Sequence, residues 1–410
     1  MTIRRGHRRV AAASAAIICT AAATCAPLLV GRASATAPSA HPQEFAPGDR
    51  SFFAEPEPIP AGNHGDLIRF QVVESGDDVT YRIMYLSASV SGAPTVVTGL
   101  VSADVAAPPV DGYRLLLHGH GTTGIADHCA PSRSIDAAND FYAKDFNEVE
   151  SATSQGFVVV STDYEGLGGP GRHPYLVGVS EGRSMLDAGI AARQLPDLNI
   201  GTATAVVGFS QGGHAALWAA QLATDWTPSY PISGVVLGAP ASEVGTLANM
   251  GAGRPELGAL TVSIVAGLAA AYPEAEAALP EVLTPAGMEV MALMDEHCFA
   301  ESVPVPPGPY VAADPNTVEP FASLLAANTP GMTPTAAPIL VFHGDADPAV
   351  PVTHSETLSR RLCDGGHTIE RRVLPGQAHV ASADRAYADG VAWLEGLADG
   401  TAQAATTCPG

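Results

Sequence analysis

The chain has 410 residues, 46% of them hydrophobic, which is enough for one large core or two modest ones. Its formal net charge is −22, from 20 basic residues against 42 acidic ones, and its single lysine is Lys144. No basic patch with interleaved aromatics occurs, so a nucleic-acid partner is excluded, and the acidity keeps the chain away from anionic surfaces.

In chain order, residues 1–35 read as an export signal. Arg4, Arg5, Arg8 and Arg9 form a positive start, Val10 to Val30 is apolar, and Ala33-Ser34-Ala35 is a small-x-small cleavage site. An uncleaved anchor, a twin-arginine route and lipid attachment at Cys25 fit these residues less well. Removal leaves 15 basic against 42 acidic residues, a balance of −27. Residues 36–62, rich in Pro, Ala and Ser, read as an irregular segment over the surface.

Residues 63–240 read as the first part of an α/β core. Leu67–Glu74, Thr80–Ser87 and Thr95–Ser102 are β-branched runs that predict opening antiparallel strands. Arg114–His118 and Gly156–Thr162 predict buried strands, with a helix over Phe141–Gln155 between them whose acidic residues lie on a wet face. A helix over Glu181–Gln194, the strand ending at Phe209, and the strand Ile232–Leu237 follow. Strands alternating with helices of this length imply a mostly parallel sheet.

That rhythm breaks at 241. Residues 241–337 are rich in Ala, Leu, Met and Glu, interrupted by prolines, and predict a helical cap inserted into the core. Leu260–Tyr272 is apolar nearly all round yet too short to span a bilayer; it suits a lid, an acyl pocket or a plain buried helix. The second part of the core, 338–410, predicts a strand in the run Ala337–Gly344 that opens it, a helix at Thr353–Arg361, a strand at Thr368–Leu374 and a helix at Ala381–Leu397.

Four cysteines remain after the signal: Cys129, Cys298, Cys363 and Cys408. In an exported chain they allow two disulfides in three connectivities. Cys363 and Cys408 are neighbours late in the chain, which favours Cys129–Cys298 with Cys363–Cys408. On the loop-entropy model these closures would contribute roughly 5 and 4 kcal/mol as upper figures. No Cys/His spacing resembles a zinc site.

The chemistry centres on Gly208-Phe209-Ser210-Gln211-Gly212-Gly213, a Gly-x-Ser-x-Gly between a β-branched run and a helix-forming stretch. That context forces Ser210 onto a sharp turn with its hydroxyl outward. A serine nucleophile needs a base, and the base needs an acid to orient it. Downstream, His343-Gly344-Asp345-Ala346-Asp347 follows a buried strand, and Asp347 is preferred as the acid over Asp345. His379 ends the next strand's loop and is preferred as the base over His343, His354 and His367. The oxyanion needs two preorganised N–H donors. Gln211, just after the nucleophile, supplies one; the loop 118–124 supplies the other, from Thr122 or alternatively His120. Such chemistry requires no metal or cofactor.

A decoy lies at Gly166-Leu167-Gly168-Gly169-Pro170-Gly171, which satisfies Gly-x-Gly-x-x-Gly after a strand. A dinucleotide site needs the third glycine to open a helix; here Pro170 and Arg172-His173-Pro174 prolong a loop, and Asp187 falls within a helical stretch.

These residues resemble the secretory lipase family of the α/β-hydrolases. The matching stretches are His120–Gly124 with Cys129-Ala130-Pro131-Ser132, Thr162–Gly168, His173-Pro174-Tyr175, Glu181–Ser184 with Asp187, Gly208–Gly213 and the Asp347 loop. The resemblance implies an exported carboxylic-ester hydrolase acting on small-molecule or lipid esters, with lipid–water interfaces as a setting. It implies a cap before the acid-bearing strand and the triad Ser210, Asp347 and His379, and it is compatible with Cys129 bonding to Cys298. The doubled His-Gly before Thr122 departs from the pattern. An acyltransferase or peptidase would use the same triad, and a non-catalytic surface-binding homologue is the remaining class.

Overall fold

Strands with both faces buried need helices on each side of the sheet, and that requirement sets the architecture. The computed structural model describes residues 42–106, 108–135, 143–253, 257–299, 301 and 303–408; the export signal expected at 1–35 lies outside them. Strands β1 (Gln43–Phe45), β2 (Leu67–Ser75), β3 (Asp78–Ala88), β4 (Pro94–Asp104) and β5 (Tyr113–Gly119) come first. Helices α1 (Pro131–Ser134) and α2 (Lys144–Val149), β6 (Phe157–Thr162), α3 (Gly178–Ala192), β7 (Ile200–Phe209), α4 (Gln211–Trp226) and β8 (Ile232–Gly238) follow. The segment that follows β8, the expected cap, carries α5 (Val244–Gly253), α6 (Gly258–Ala271), α7 (Pro273–Val282), α8 (Pro285–Met294) and α9 (Phe321–Ala327). The core resumes with β9 (Ile339–Gly344), α10 (Thr353–Asp364), β10 (Ile369–Leu374), α11 (Ala381–Arg385) and α12 (Val391–Ala398).

The described strands form one sheet of order β1-β2-β3-β4-β6-β5-β7-β8-β9-β10. From β6 through β10 every pairing is parallel, while β2, β3, β4 and β6 pair antiparallel. Alternate side chains divide the core: Leu115, Leu117, Val158 and Val206 pack towards α3 and α4. Leu116, Val159 and Val207 pack on the other face with Phe146, Tyr387 and Trp393. A separate cluster, including Leu247, Val265, Leu279 and Phe321, fills the cap. Register then sets the site: Gly119 pairs with Gly208, Phe209 with Gly238, Gly238 with Phe342, and Gly344 with Leu374. The carboxyl ends of β5, β7, β8, β9 and β10 thus share one edge, where α/β sheets bind ligands.

Three local expectations are corrected. The segment 36–62 is not wholly irregular: Gln43–Phe45 pairs parallel with β2, and Arg50–Phe53 makes a 3-10 turn that buries Phe52 and Phe53. Side chains of β2 hold it, since Gln71 Nε2 donates to the Ala46 and Asp49 carbonyls and Arg69 Nη1 to those of Phe52 and Ala54. The helix expected over 141–155 is α2 tightened into a 3-10 turn at Glu150–Gln155, and Phe141 and Tyr142 lie outside the described residues. Nor is its acidic face wholly wet: Glu150 Oε1 accepts from Ser102 Oγ at 2.6 Å and Thr80 Oγ1 at 3.1 Å. Finally, α3 begins at Gly178, three residues before expectation, because the Gly178 N–H is met by the Asn328 side chain, 150 residues away, at 2.9 Å.

Candidate active site

Ser210 sits between β7 and α4 at φ 56° and ψ −114°, a conformation L-residues rarely adopt. The turn closes because glycines flank it: a Cβ on Gly208 would lie 2.0 Å from the Gly212 carbonyl oxygen, and one on Gly212 1.8 Å from that of Gly119. The backbone pins the serine on both sides. Its N–H donates to the Gly238 carbonyl at 2.8 Å, and its carbonyl accepts from Gly213, His214 and Ala241 at 3.0, 3.2 and 3.1 Å.

The loops after β9 and β10 bring Asp347 and His379 to this point. His379 Nε2 lies 3.0 Å from Ser210 Oγ, and its Nδ1 lies 2.5 Å from Asp347 Oδ2. The Asp347 side chain has no exposed surface, while His379 keeps 19%. Asp347 Oδ1 accepts the N–H groups of Ala349 and Val350 at 2.8 and 2.9 Å. Burial alone would raise this carboxyl, but hydrogen bonds from His343 and His379, the His379 ring and the Val350 N–H outweigh it and hold the group well below the usual carboxylate range. With Nδ1 facing a carboxylate, His379 carries its proton there and offers Nε2 to the serine.

The alternatives fall elsewhere. Asp345 Oδ1 accepts the Gly376 N–H at 2.6 Å and ties the β9 and β10 loops together. His343 is buried behind Asp347; its Nε2 donates to the Val350 carbonyl at 2.9 Å and lies 3.4 Å from Asp347 Oδ2. His367 Nδ1 meets the Thr335 carbonyl at 3.0 Å, and His354 is buried with neither ring nitrogen partnered. The glycine decoy is a loop whose Gly166, Gly168 and Gly171 have positive φ, and Asp187 is occupied by His64, Ser87 and Trp226 at 2.7, 2.7 and 2.8 Å.

Gln211 opens α4, where first-turn N–H groups have no intrahelical acceptor. In the facing loop, Gly121 gives its N–H to Asp145 Oδ2 at 2.7 Å, and the His120 carbonyl accepts from Tyr164 Oη at 3.1 Å. Thr122 Oγ1 lies 2.8 Å from Tyr175 Oη. Thr122 also opens onto a cavity of about 160 Å³ running between the core and cap helices α6 and α8, lined largely by apolar groups of Ile125, Val290, Leu293, Met294 and Phe299.

Two bonds fasten the cap beside this cavity. Cys129 is disulfide-bonded to Cys298, and Arg172 forks onto Asp295 at 2.7 and 2.6 Å. A second disulfide joins Cys363 and Cys408. Sequence reasoning missed two groups. Asp145 belongs to a short helix whose period marks it as solvent-facing. Between α3 and α4, around the Gln211 side chain, lies a second group, the wholly buried His173, Glu181 and His214, whose signal is the His173-Pro174-Tyr175 and Glu181–Ser184 stretches.

The family model for secretory lipases matches residues 142–404. The chain is 25% identical to a secreted triacylglycerol lipase of Malassezia restricta, over 81% of this chain and 74% of that protein. It is 24% identical to lipase A of Moesziomyces aphidis, over 82% and 77%. The crystal structure of Candida antarctica lipase A superposes with a TM-score of 0.74 at 21% identity, covering 88% of each chain, which establishes the shared fold. The chain belongs to the secretory lipase family, carboxylic-ester hydrolases built on the α/β-hydrolase fold.

Proposed function

We propose that this chain is exported and hydrolyses acyl esters at Ser210, and the observation that carries the reading is the unbroken line Ser210–His379–Asp347 at 3.0 and 2.5 Å. His379 Nε2 takes the hydroxyl proton as Ser210 Oγ bonds to the ester carbonyl carbon. The carbonyl oxygen becomes an oxyanion held by the N–H groups of Gln211 and Thr122. The C–O bond then breaks, and His379 returns its proton to the departing alcohol. Water attacks the acyl-serine with His379 again as base, the acid leaves, and Ser210 regains its proton. Asp347 stays ionised throughout and steadies the imidazolium.

Commitment of the Gly121 N–H to Asp145 supports Thr122 as the second donor, with His120 the alternative. The apolar cavity beginning at Thr122 suits the acyl chain, and the cap, residues 241–337, covers it. Relatives named as secreted triacylglycerol lipases support acylglycerols as the ester class. Two disulfides support an oxidising destination, and among the described residues no helix is long and apolar enough to cross a membrane. Cleavage after Ala35 would leave Thr36 as the first residue.

The test is Ser210→Ala. On a p-nitrophenyl ester it should lower kcat by several orders of magnitude, and a fluorophosphonate probe should label the parent protein but not the variant. Unchanged turnover, or labelling at another residue, would reject Ser210 as nucleophile.

A further inference from the structure

We propose that Glu181 is a positioning residue of this site: its buried carboxylate, clamped by His214, fixes the Gln211 side chain and with it the first turn of α4, whose Gln211 N–H meets the oxyanion. The inference rests on the function proposed above and adds a residue to it.

Glu181 lies on α3 with no exposed surface. Its Oε1 accepts from Gln211 Nε2 at 2.8 Å and from the Leu176 N–H at 3.0 Å; its Oε2 lies 2.6 Å from His214 Nδ1. Proton bookkeeping settles what each partner does. His173 Nδ1 faces the Glu165 carbonyl at 2.7 Å, and a carbonyl can only accept, so that nitrogen carries the proton. Its Nε2 is then a lone pair, 2.7 Å from Gln211 Nε2. Both amide hydrogens of Gln211 are therefore spent, one on Glu181 and one on His173. Burial lowers His173 to about 4, which agrees with the neutral ring this pattern needs.

His214 is constrained differently. Its Nε2 faces the Asn328 carbonyl at 2.9 Å and its Nδ1 faces Glu181, so both nitrogens meet acceptors. Two donors already sit on Oε1, so Oε2 shares a single hydrogen with His214 Nδ1, and this short contact locks the two side chains together. Both members of the pair reach the elbow: His214 is on α4, four residues after Ser210, and donates its N–H to the Ser210 carbonyl. Asn328 also serves α3, accepting the Gly178 N–H, and α4, accepting from Trp218 Nε1 at 3.3 Å.

A wholly buried carboxylate is costly unless every partner is placed. Here the partners are the first and fourth residues of the nucleophile helix. An oxyanion donor must be held to within about 0.5 Å, and locking the side chain of the donor residue does so from behind. An alternative role, in which Glu181 merely joins α3 to α4, predicts a loss of stability with no selective effect on the chemical step.

The experiment is a double-mutant cycle on a soluble p-nitrophenyl ester. Glu181→Gln, isosteric and uncharged, should lower kcat about 10- to 100-fold with KM within about 2-fold, short of the 10²–10³-fold cost of deleting a donor outright. Gln211→Ala keeps the backbone N–H and should lower kcat similarly. Because Glu181 acts through the Gln211 side chain, the double variant should be no worse than the poorer single, within about 3-fold. A double variant at the product of the two losses, or unaltered kcat in either single, overturns the proposal. Gln211→Ala alone decides the matter if Glu181→Gln does not fold. Fluorophosphonate labelling separates the two readings: no labelling of the parent protein removes the proposed function, whereas parent labelling with Glu181→Gln labelling at the parent rate removes only the role of Glu181.

Discussion

Asp145 accepts the backbone N–H of Gly121 at 2.7 Å, and this one bond spends an amide of the loop after β5. Tyr387, which burial and then the nearby Asp145 carboxylate hold well above the ordinary phenol value, has its hydroxyl 3.2 Å from His118 Nε2. The loop is thus anchored to α2 and to the C-terminal helices at once. Asp145→Asn keeps an acceptor oxygen and should retain kcat within about 3-fold; Asp145→Ala frees the Gly121 N–H and should lower kcat at least about 10-fold, since oxyanion donors act only when preorganised. Steady-state kinetics on both variants checks this, and equal activity in the two would remove Asp145 from the account.

In the proposed mechanism Asp347 orients His379 and stays charged, so Asp347→Asn should leave the fold intact yet lower kcat by about 10⁴, the loss seen when a triad histidine is held in the wrong tautomer. Its depressed pKa also has a sign for stability. The carboxylate contributes above the ordinary aspartate value and loses that contribution as pH falls below it. Acid unfolding of the Asp347→Asn variant followed by circular dichroism should accordingly be less steep below about pH 4 than that of the parent.

His354 is buried and lowered from 6.5 to about 4, first by desolvation and then by the neighbouring His343. The unfolded chain takes up this proton near 6.5 and the folded chain only near 4, so between those values acid favours unfolding. His354→Leu removes the group from both states. The difference in unfolding free energy, variant minus parent, should therefore grow as pH drops through this window, by up to about 1.4 kcal/mol per pH unit. Urea titrations at pH 7, 6 and 5 measure it; a difference independent of pH would refute the titration.

The Cys129–Cys298 bond joins the loop after β5 to the cap across 169 residues. Replacing both cysteines with alanine should cost roughly 2–5 kcal/mol of stability. Non-reducing peptide mapping should recover Cys129 with Cys298, and recovery of Cys129 with Cys363 would reject the pairing.

Much of the site is legible along the chain because its signals are local. A β-branched run, two glycines around a serine and a helix-forming stretch dictate an elbow at Ser210 wherever the rest of the chain goes. Asp347 and His379 each follow a recognisable strand, and parallel strands all end on one edge. The short strand at 43–45 has no such signal, since it exists only by pairing with Arg69–Gln71 of β2, whose Gln71 and Arg69 side chains also hold Ala46, Asp49, Phe52 and Ala54 from 15 to 25 residues away.

The amino-acid sequence by itself therefore determines the order of Ser210, Asp347 and His379, the proposed triad, and the sheet edge that gathers them, because backbone propensity and hydrophobic period act over a few residues. Only the tertiary structure decides which N–H of the 118–124 loop is spent and what braces the elbow from below. Those choices are hydrogen bonds between residues 24 and 30 positions apart, Gly121 with Asp145 and Gln211 with Glu181. A buried donor or acceptor must find whichever partner packing delivers, and packing is a property of the whole fold.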